Sequence, residues 1–350
     1  MGGIKLIQKN EEDISVKIDN EELKLRAIKL KEDYENLITF YDQIFEKELV
    51  AKGGSVKALL DEQLSFMPFF KFIGLFSKGF RHTFDGFLFE NGDKEIISTV
   101  NVGYAGNFWE VAMVATHPEY RKKGLAKKLV QTSLEHAKNH GAKMCVLEVL
   151  EENIPAYQLY KKLGFVHFDS NLKMKLEKGE IKDKEIVKIP SKYTLKSRKN
   201  TKQENIAMYN LEKKVTPDDV QTFLPVNKIK YIKPFLIKLV RPIARLFIKK
   251  RSKRWLIYHD DEELVAILYI LLGNSKDDCH TIDFIIDPDH CQNINQFIIN
   301  FSKNYLIEHA EFELNTLITI KKSEKHLREA LLNSGFSVFE SYQIMGIKFE

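Results

Sequence analysis

Thr116-His117-Pro118-Glu119-Tyr120-Arg121-Lys122-Lys123-Gly124-Leu125-Ala126 decides how this chain is read. A strand ends at Thr116, Pro118 turns the chain, and a basic loop with one glycine opens an amphipathic helix over about Lys122–His140. Ala126, Leu129, Val130, Ser133 and Ala137 share one face of that helix. The backbone N–H groups at a helix start lack partners, and the helix dipole adds partial positive charge there. Arg121, Lys122 and Lys123 add full charges, while Gly124 and Ala126 leave the backbone open to an anion. Such a loop suits phosphate capture, and equally suits a solvated basic helix start.

Working outward, Gly86–Glu90 and Glu95–Val102 form a hairpin through Asn91-Gly92-Asp93, and Trp109–Thr116 is the strand that enters the loop. Met144–Val149 returns as a buried strand, Pro155–Lys162 is a short helix, and Phe165–Leu176 reads as a last hairpin. Upstream, Lys24–Ile28 is a strand before a helix carrying Leu37, Phe40, Tyr41 and Phe45. The order describes one mixed α/β domain. Glu177–Glu204 is Lys/Glu-rich and reads as a linker that enters a new strand near Tyr193.

After that linker the order starts again. Pro68 is echoed by Pro234, Glu95-Ile96 by Glu263-Leu264, Pro118 by Pro288 and Gly164-Phe165 by Gly335-Phe336. The offset drifts from 166 to 171, as a diverged duplication with small loop changes would give. Domains are expected at 1–180 and 190–350. In the second copy Cys291, Ile294 and Gln296 fall where Arg121, Gly124 and Ala126 stand, and Leu331 falls where Tyr160 stands. A branched residue at the glycine position blocks close phosphate approach.

The loop is followed by Leu147-Glu148-Val149-Leu150-Glu151-Glu152-Asn153-Ile154-Pro155-Ala156-Tyr157-Gln158-Leu159-Tyr160. R-x-x-G-x-A and N-x-x-A-x-x-x-Y, in this order and at this separation, resemble the GNAT superfamily of acetyl-CoA-dependent N-acyltransferases. The resemblance is specific over about Lys94–Phe165, looser from Lys24 onward, and only topological in the second half. It implies two tandem GNAT-like domains, each a mixed, mostly antiparallel sheet flanked by helices, the second degenerate. It implies that Arg121, Lys122, Lys123, Gly124, Leu125 and Ala126 hold the pyrophosphate of coenzyme A. Val114, Ala115 and Thr116 would receive the pantetheine, with a backbone N–H polarising the thioester carbonyl. Asn153, Tyr157 and Tyr160 complete the donor site, Tyr160 near the sulfur. No metal is expected.

The chemistry follows from the reactants. An amine is mostly protonated at neutral pH, so a base must take its proton before attack on a thioester. Glu148 is the first candidate and Glu110, on the earlier strand, the second. The Tyr160 hydroxyl can meet the leaving thiolate. Each residue also has an ordinary use: Glu148 pairing with a surface Lys, Asn153 capping the short helix, Tyr160 packing as a core aromatic. The L-E-V strand and the spacing from Glu148 to Tyr160 also resemble the bacterial N-terminal acetyltransferases of ribosomal proteins, which favours a peptide or protein amine as acceptor.

Composition bounds the rest. The 350 residues are 44% hydrophobic and 29% charged, with net charge +5, as in soluble globular chains. Eleven Lys or Arg and no acid lie within Lys228–Arg254, so the basic balance is local. That stretch reads as an amphipathic helix broken at Pro242, with Phe66–Phe80 in the same place of the first copy. It keeps weak peripheral contact with an anionic membrane open, while no specific nucleic acid is expected. Cys145, Cys279 and Cys291 make no C-x-x-C, and no apolar run has the length of a signal peptide or membrane span. A cytoplasmic location is expected. A retired acyl-CoA sensor, and an anionic-surface binder acting through 228–254, are the competing functions. The oligomeric state and the acyl length stay open.

Overall fold

The computed structural model describes residues 5–8, 14–18, 21–51, 55–73, 81–181, 183–232, 251–276 and 278–349. They form two compact units, one of Met1–Val149, Asn153–His167 and Met345–Glu350, the other of Leu150–Glu152 and Phe168–Ile344.

In the first unit β1 (Lys5–Gln8), β2 (Ile14–Ile18), β3 (Glu21–Ala27), β4 (Asp85–Glu90), β5 (Ile96–Tyr104) and β6 (Trp109–Thr116) form an antiparallel sheet in sequence order. β7 (Met144–Leu150) joins β6 in parallel. Between β3 and β4 come α1 (Tyr34–Ala51) and α2 (Val56–Ile73). α3 (Leu125–Asn139) links β6 to β7, and α4 (Ile154–Lys162) follows. Turn chemistry explains the β4–β5 hairpin: Asn91 Oδ1 accepts from the amides of Asp93 and Glu95 at 3.1 and 2.9 Å. The sheet buries both faces. Leu125, Leu129, Val130 and Ala137 of α3 pack with Trp109 and Val111 on one side. Leu37, Phe40, Tyr41 and Leu60 of α1 and α2 pack with Leu88 and Ala115 on the other. One ion cluster ties three elements together: the Arg26 guanidinium of β3 reaches Asp33, ahead of α1, at 2.8 Å and Glu90 of β4 at 2.6 Å.

The second unit repeats this order. β9 (Tyr193–Ser197) precedes α5 (Lys202–Val215), α6 (Asp218–Phe223) and α7 (Lys228–Tyr231). β10 (Ser252–His259), β11 (Glu263–Leu271) and β12 (His280–Ile286) lead into α8 (Pro288–His309), β13 (Thr316–Lys321) and α9 (Lys325–Asn333). With β8 (Val166–Leu176) and β14 (Ser337–Lys348) the strands run β14-β8-β13-β12-β11-β10-β9. Again one face packs α8 and α9, through Ile294, Ile298 and Leu331, and the other packs α5, through Met208 and Leu211. This is the expected tandem, mixed and mostly antiparallel architecture.

Several sequence expectations are corrected. In place of the hairpin expected over Phe165–Leu176 stands one eleven-residue strand, β8 (Val166–Leu176), because it pairs with β13 along Asn171–Leu176. The last part of the expected linker is helical: Thr201 and Glu204 close a reciprocal capping box that starts α5. Strands β1 and β2 precede the strand expected near Lys24. The expected helix broken at Pro242 and the aromatics beyond Met67 lie outside the described residues or side chains. No described helix is long and apolar enough to cross a membrane.

Candidate active site

The loop after β6 makes a 3-10 turn over Pro118–Tyr120 before α3 begins. Helix formation is delayed past Lys122, expected as its start, because Lys122 (φ +63°) and Gly124 (φ +85°) both adopt left-handed backbone. Gly124 is therefore the residue before the first helical turn, and it has no side chain with which to cap it. No side-chain hydrogen bond caps α3, so its first amides are open to an anionic ligand. His117 Nδ1, at the loop's entry, is buried without a hydrogen-bond partner. Around the turn, Arg121 is exposed and donates through Nε to the Thr116 carbonyl at 3.2 Å. The Lys123 ammonium stands 5.0 Å from the ring centre of Tyr120, whose hydroxyl donates to Glu21 at 2.6 Å. An uncapped helix start, a glycine in left-handed backbone and surrounding cations fit a pyrophosphate.

β6 is kinked at its centre. Ser98↔Thr116 and Thr99↔Ala115 pair in one register and Asn101↔Ala112 in another, so Met113 and Val114 together oppose Val100. Met113 takes φ +51° at this bulge. The extra residue resets the alternation: Val111 and Val114 pack on the α3 face, whereas Ala115 packs against α1 and α2. β6 meets β7 only at Trp109↔Cys145 and Glu110↔Val146, and its later residues pair with β5 alone. The two parallel strands therefore part from Val111 onward, leaving a slot flanked by Val114, Ala115 and Thr116.

Beside this slot a cavity of about 270 Å³ lies between the sheet and α1 and α2. Apolar groups such as Leu30, Leu37, Leu60 and Met113 line it, with Tyr41, Asn101, Tyr104, Asp85 and Glu110 as polar members. Glu110 touches solvent yet has dense protein around it. That loss of hydration, then the charge of Glu148, raises its pKa. In parallel register Glu110 opposite Val146 puts Glu110 and Glu148 on one face of the sheet. Asp85 is partly dehydrated, which favours its neutral form, but hydrogen bonds from His136 and His82 outweigh this and lower its pKa. Two carboxylates in a largely apolar cavity suit an ammonium group.

Tyr160 of α4 is 6% exposed and packs with Val114, Tyr157, Leu125 and Phe165 in one cluster. Burial pushes its phenol up to about 12. Asn153 caps α4, its Oδ1 accepting from the Ala156 amide at 3.2 Å. Of the donor-side residues expected from sequence, Val114, Leu125, Tyr157 and Tyr160 thus share the cluster on the α3 face, whereas Ala115 packs on the other. Glu148 is exposed on β7, and the cavity-lining Tyr41, Asn101 and Tyr104 were not singled out in the sequence. Their signal is faint, since they come from two elements, α1 and β5, far apart in the chain.

The second unit differs at each of these features. α8 starts directly at Pro288, so helix runs through the segment that is loop in the first unit. The Asp287 carboxylate caps it, accepting from the Asp289 amide at 3.2 Å, and so places a negative charge where an anion would bind. Ile294 is wholly buried. The β11–β12 pairing runs from Ala266↔Ile286 to Leu271↔Thr281 without a bulge.

Comparison with known proteins agrees with this division. The acetyltransferase (GNAT) family profile matches residues 57–165, which apart from Leu150–Glu152 lie in the first unit. The N-alpha-acetyltransferase 30 of Schizosaccharomyces pombe is 45% identical over 58 residues, 17% of this chain and 39% of that protein. The chain spans less than half the length of the curated relatives it matches. Among solved structures, a GCN5-related N-acetyltransferase from Sphaerobacter thermophilus superposes with TM-score 0.63 at 14% identity, covering 93% of this chain and 95% of that one. A tandem GNAT protein from the clavulanic acid biosynthesis pathway gives TM-score 0.54 at 12% identity, covering 76% and 83%. With the phosphate-type loop, the kinked β6 and the repeated fold in view, residues 57–165 carry a GNAT acetyltransferase domain, and the second unit repeats its fold without the loop and the kink.

Proposed function

We propose that the first unit transfers an acetyl group from acetyl-CoA to a primary amine, with the α-amine of a peptide or protein as acceptor. The observation that carries this reading is the uncapped start of α3 behind left-handed Gly124, opening onto the slot where β6 leaves β7. The acceptor class rests on the carboxylates of the cavity and on the likeness to a relative named as an N-alpha-acetyltransferase.

Acetyl-CoA, bound along the slot, supplies an acetyl thioester that the amine attacks directly, giving an amide and the CoA thiol. Backbone amides from Gly124 to Ala126 hold the pyrophosphate, with Arg121, Lys122 and Lys123 around it. An amide within Val114–Thr116 meets the negative charge that develops on the thioester oxygen. Glu110 and Glu148 act as a coupled pair that receives the amine's proton. The raised pKa of Glu110 makes it the stronger base of the usual carboxylate kind. Tyr160 donates a hydrogen bond to the departing thiolate. With its phenol near 12 and a thiol near ~8.5, full transfer of the phenolic proton is uphill, so the thiolate's proton comes from the amine by way of the carboxylates.

Calorimetric titration of the full chain with acetyl-CoA tests the donor site, and release of free thiol in the presence of amine-terminated peptides tests transfer. One binding site is expected, abolished by Gly124→Glu. Tyr160→Phe should keep acetyl-CoA binding and lose roughly ten- to a hundredfold in kcat, the worth of a hydrogen bond to a charged group. Binding without turnover on any amine would leave a sensor, and absence of binding would overturn the assignment.

A further inference from the structure

Three histidines meet at the end of α3 remote from Gly124. His136 lies in the helix's last turn and His140 is its C-cap, one turn further on. His82 lies in the short turn before β4. Their ring centres are 4.0 Å apart for His82 and His140, 4.3 Å for His136 and His140, and 5.6 Å for His82 and His136.

Each ring already uses one nitrogen. His82 Nδ1 and His136 Nε2 both lie 2.7 Å from Oδ2 of Asp85, and His140 Nδ1 lies 2.8 Å from the His136 carbonyl oxygen. This is how imidazoles are held when they bind a metal: the far N–H is anchored by a carboxylate or carbonyl, which fixes the tautomer and turns the other nitrogen inward. One ligand atom from each of the three rings lies within 4.8 Å of the others. Trp109 closes the site on one side, its ring centre 5.8 Å from that of His82 and 6.0 Å from that of His136.

The geometry points to a binding site for a zinc-class divalent ion, ligated by His82 Nε2, His136 Nδ1 and His140 Nε2, with a fourth position open to water. Neutral nitrogen donors select zinc, copper or nickel over magnesium and calcium, which take oxygen ligands. Asp85 is a positioning residue here. Because it also lines the cavity, the ion would fix part of the cavity wall to α3. A second group, His259, Glu263 and His290, has similarly close ligand atoms. It is the weaker candidate, because Glu263 pairs with Lys214 at 3.4 Å and His290 Nδ1 with the Tyr193 hydroxyl at 2.9 Å. The inference stands apart from the acyl-transfer reading.

The test is titration of chelator-stripped full-length protein with zinc sulfate by calorimetry, and with cobalt(II) chloride by visible absorption. One zinc per chain and the intense bands of four-coordinate cobalt are expected, with no response to magnesium. His140→Ala and Asp85→Asn should each weaken zinc binding at least tenfold, while His290→Ala binds as the parent does. His140 is exposed at a helix end, so its replacement leaves the fold intact, which melting in metal-free buffer verifies. No zinc uptake, uptake that His140→Ala leaves unchanged, or uptake that His290→Ala alone abolishes would each overturn the site.

Discussion

Glu110 and Glu148 come from different strands, yet the parallel register of β6 and β7 sets them on one face of the sheet. Burial and the charge of Glu148 both favour the protonated form of Glu110, so its pKa lies above the ordinary carboxylate value. If Glu110 takes the amine's proton, activity falls on the acid side as Glu110 becomes protonated. Replacing Glu148 by Gln removes one of the two causes, which lowers the pKa of Glu110. The acid limb of kcat/KM should then move to lower pH while a large part of the activity survives. Profiles of parent and Glu148→Gln decide the roles: a collapse of activity at every pH would make Glu148 the base and Glu110 its partner. Sequence pointed to both residues, Glu148 through its L-E-V strand, but not to their coupling. That depends on the parallel register Glu110↔Val146, which no local pattern encodes.

At the scale of elements, Arg26 joins β3, the entry to α1 and β4 by hydrogen bonds to Asp33 and Glu90. Both carboxylates are buried, at 5% and 9% exposure. Arg26→Met should therefore cost about 3–5 kcal/mol in urea unfolding, because two buried acids lose their counter-charge. A loss below about 1 kcal/mol, the worth of a surface pair, would show that water takes over. Although burial alone would raise it, hydrogen bonds from Arg26 and the Lys29 amide hold Asp33 below its usual 3.8. Its contribution is then complete above that value and fades as pH falls through the lower folded pKa, so the difference between parent and variant should shrink in strong acid. Elements with local causes were legible: the Asn91 turn, the apolar face of α3, the repeat of strand and helix order. The start of α3 was misplaced because Lys122 and Gly124 leave helical backbone in a segment whose composition suits a helix. The bulge at Met113 escaped notice because Ala112-Met113-Val114 carries no glycine to mark it. His136 and His140 stand at helical spacing, but only the fold adds His82 from 54 residues upstream.

At the scale of the molecule, the two copies do not divide the chain at a single linker. Residues 345–350 belong to the first unit although the chain has by then passed through all of the second. Met345 is wholly buried in the cluster that holds Tyr160, Leu125 and Val149, and the Phe349 amide donates to the Lys143 carbonyl at 2.9 Å. Nothing local announces this, because an apolar strand end reads the same whichever sheet completes it. The consequence concerns the proposed donor site directly. A chain of residues 1–180, the domain that motif and linker suggest, lacks the strand end that closes the Tyr160 cluster. Met345→Ala in the full chain should cost about 2–5 kcal/mol, as for other buried methionines, and should lower the melting temperature of the first unit. The 1–180 fragment should melt far lower than the full chain and bind acetyl-CoA poorly. Adding a peptide of residues 337–350 should restore binding in proportion to its concentration, since a segment that binds only the folded form stabilises it by mass action. Melting followed by acetyl-CoA titration of the fragment, with and without the peptide, reads both effects. A fragment that melts and binds like the full chain would mean that residues 345–350 decorate the first unit and do not complete it.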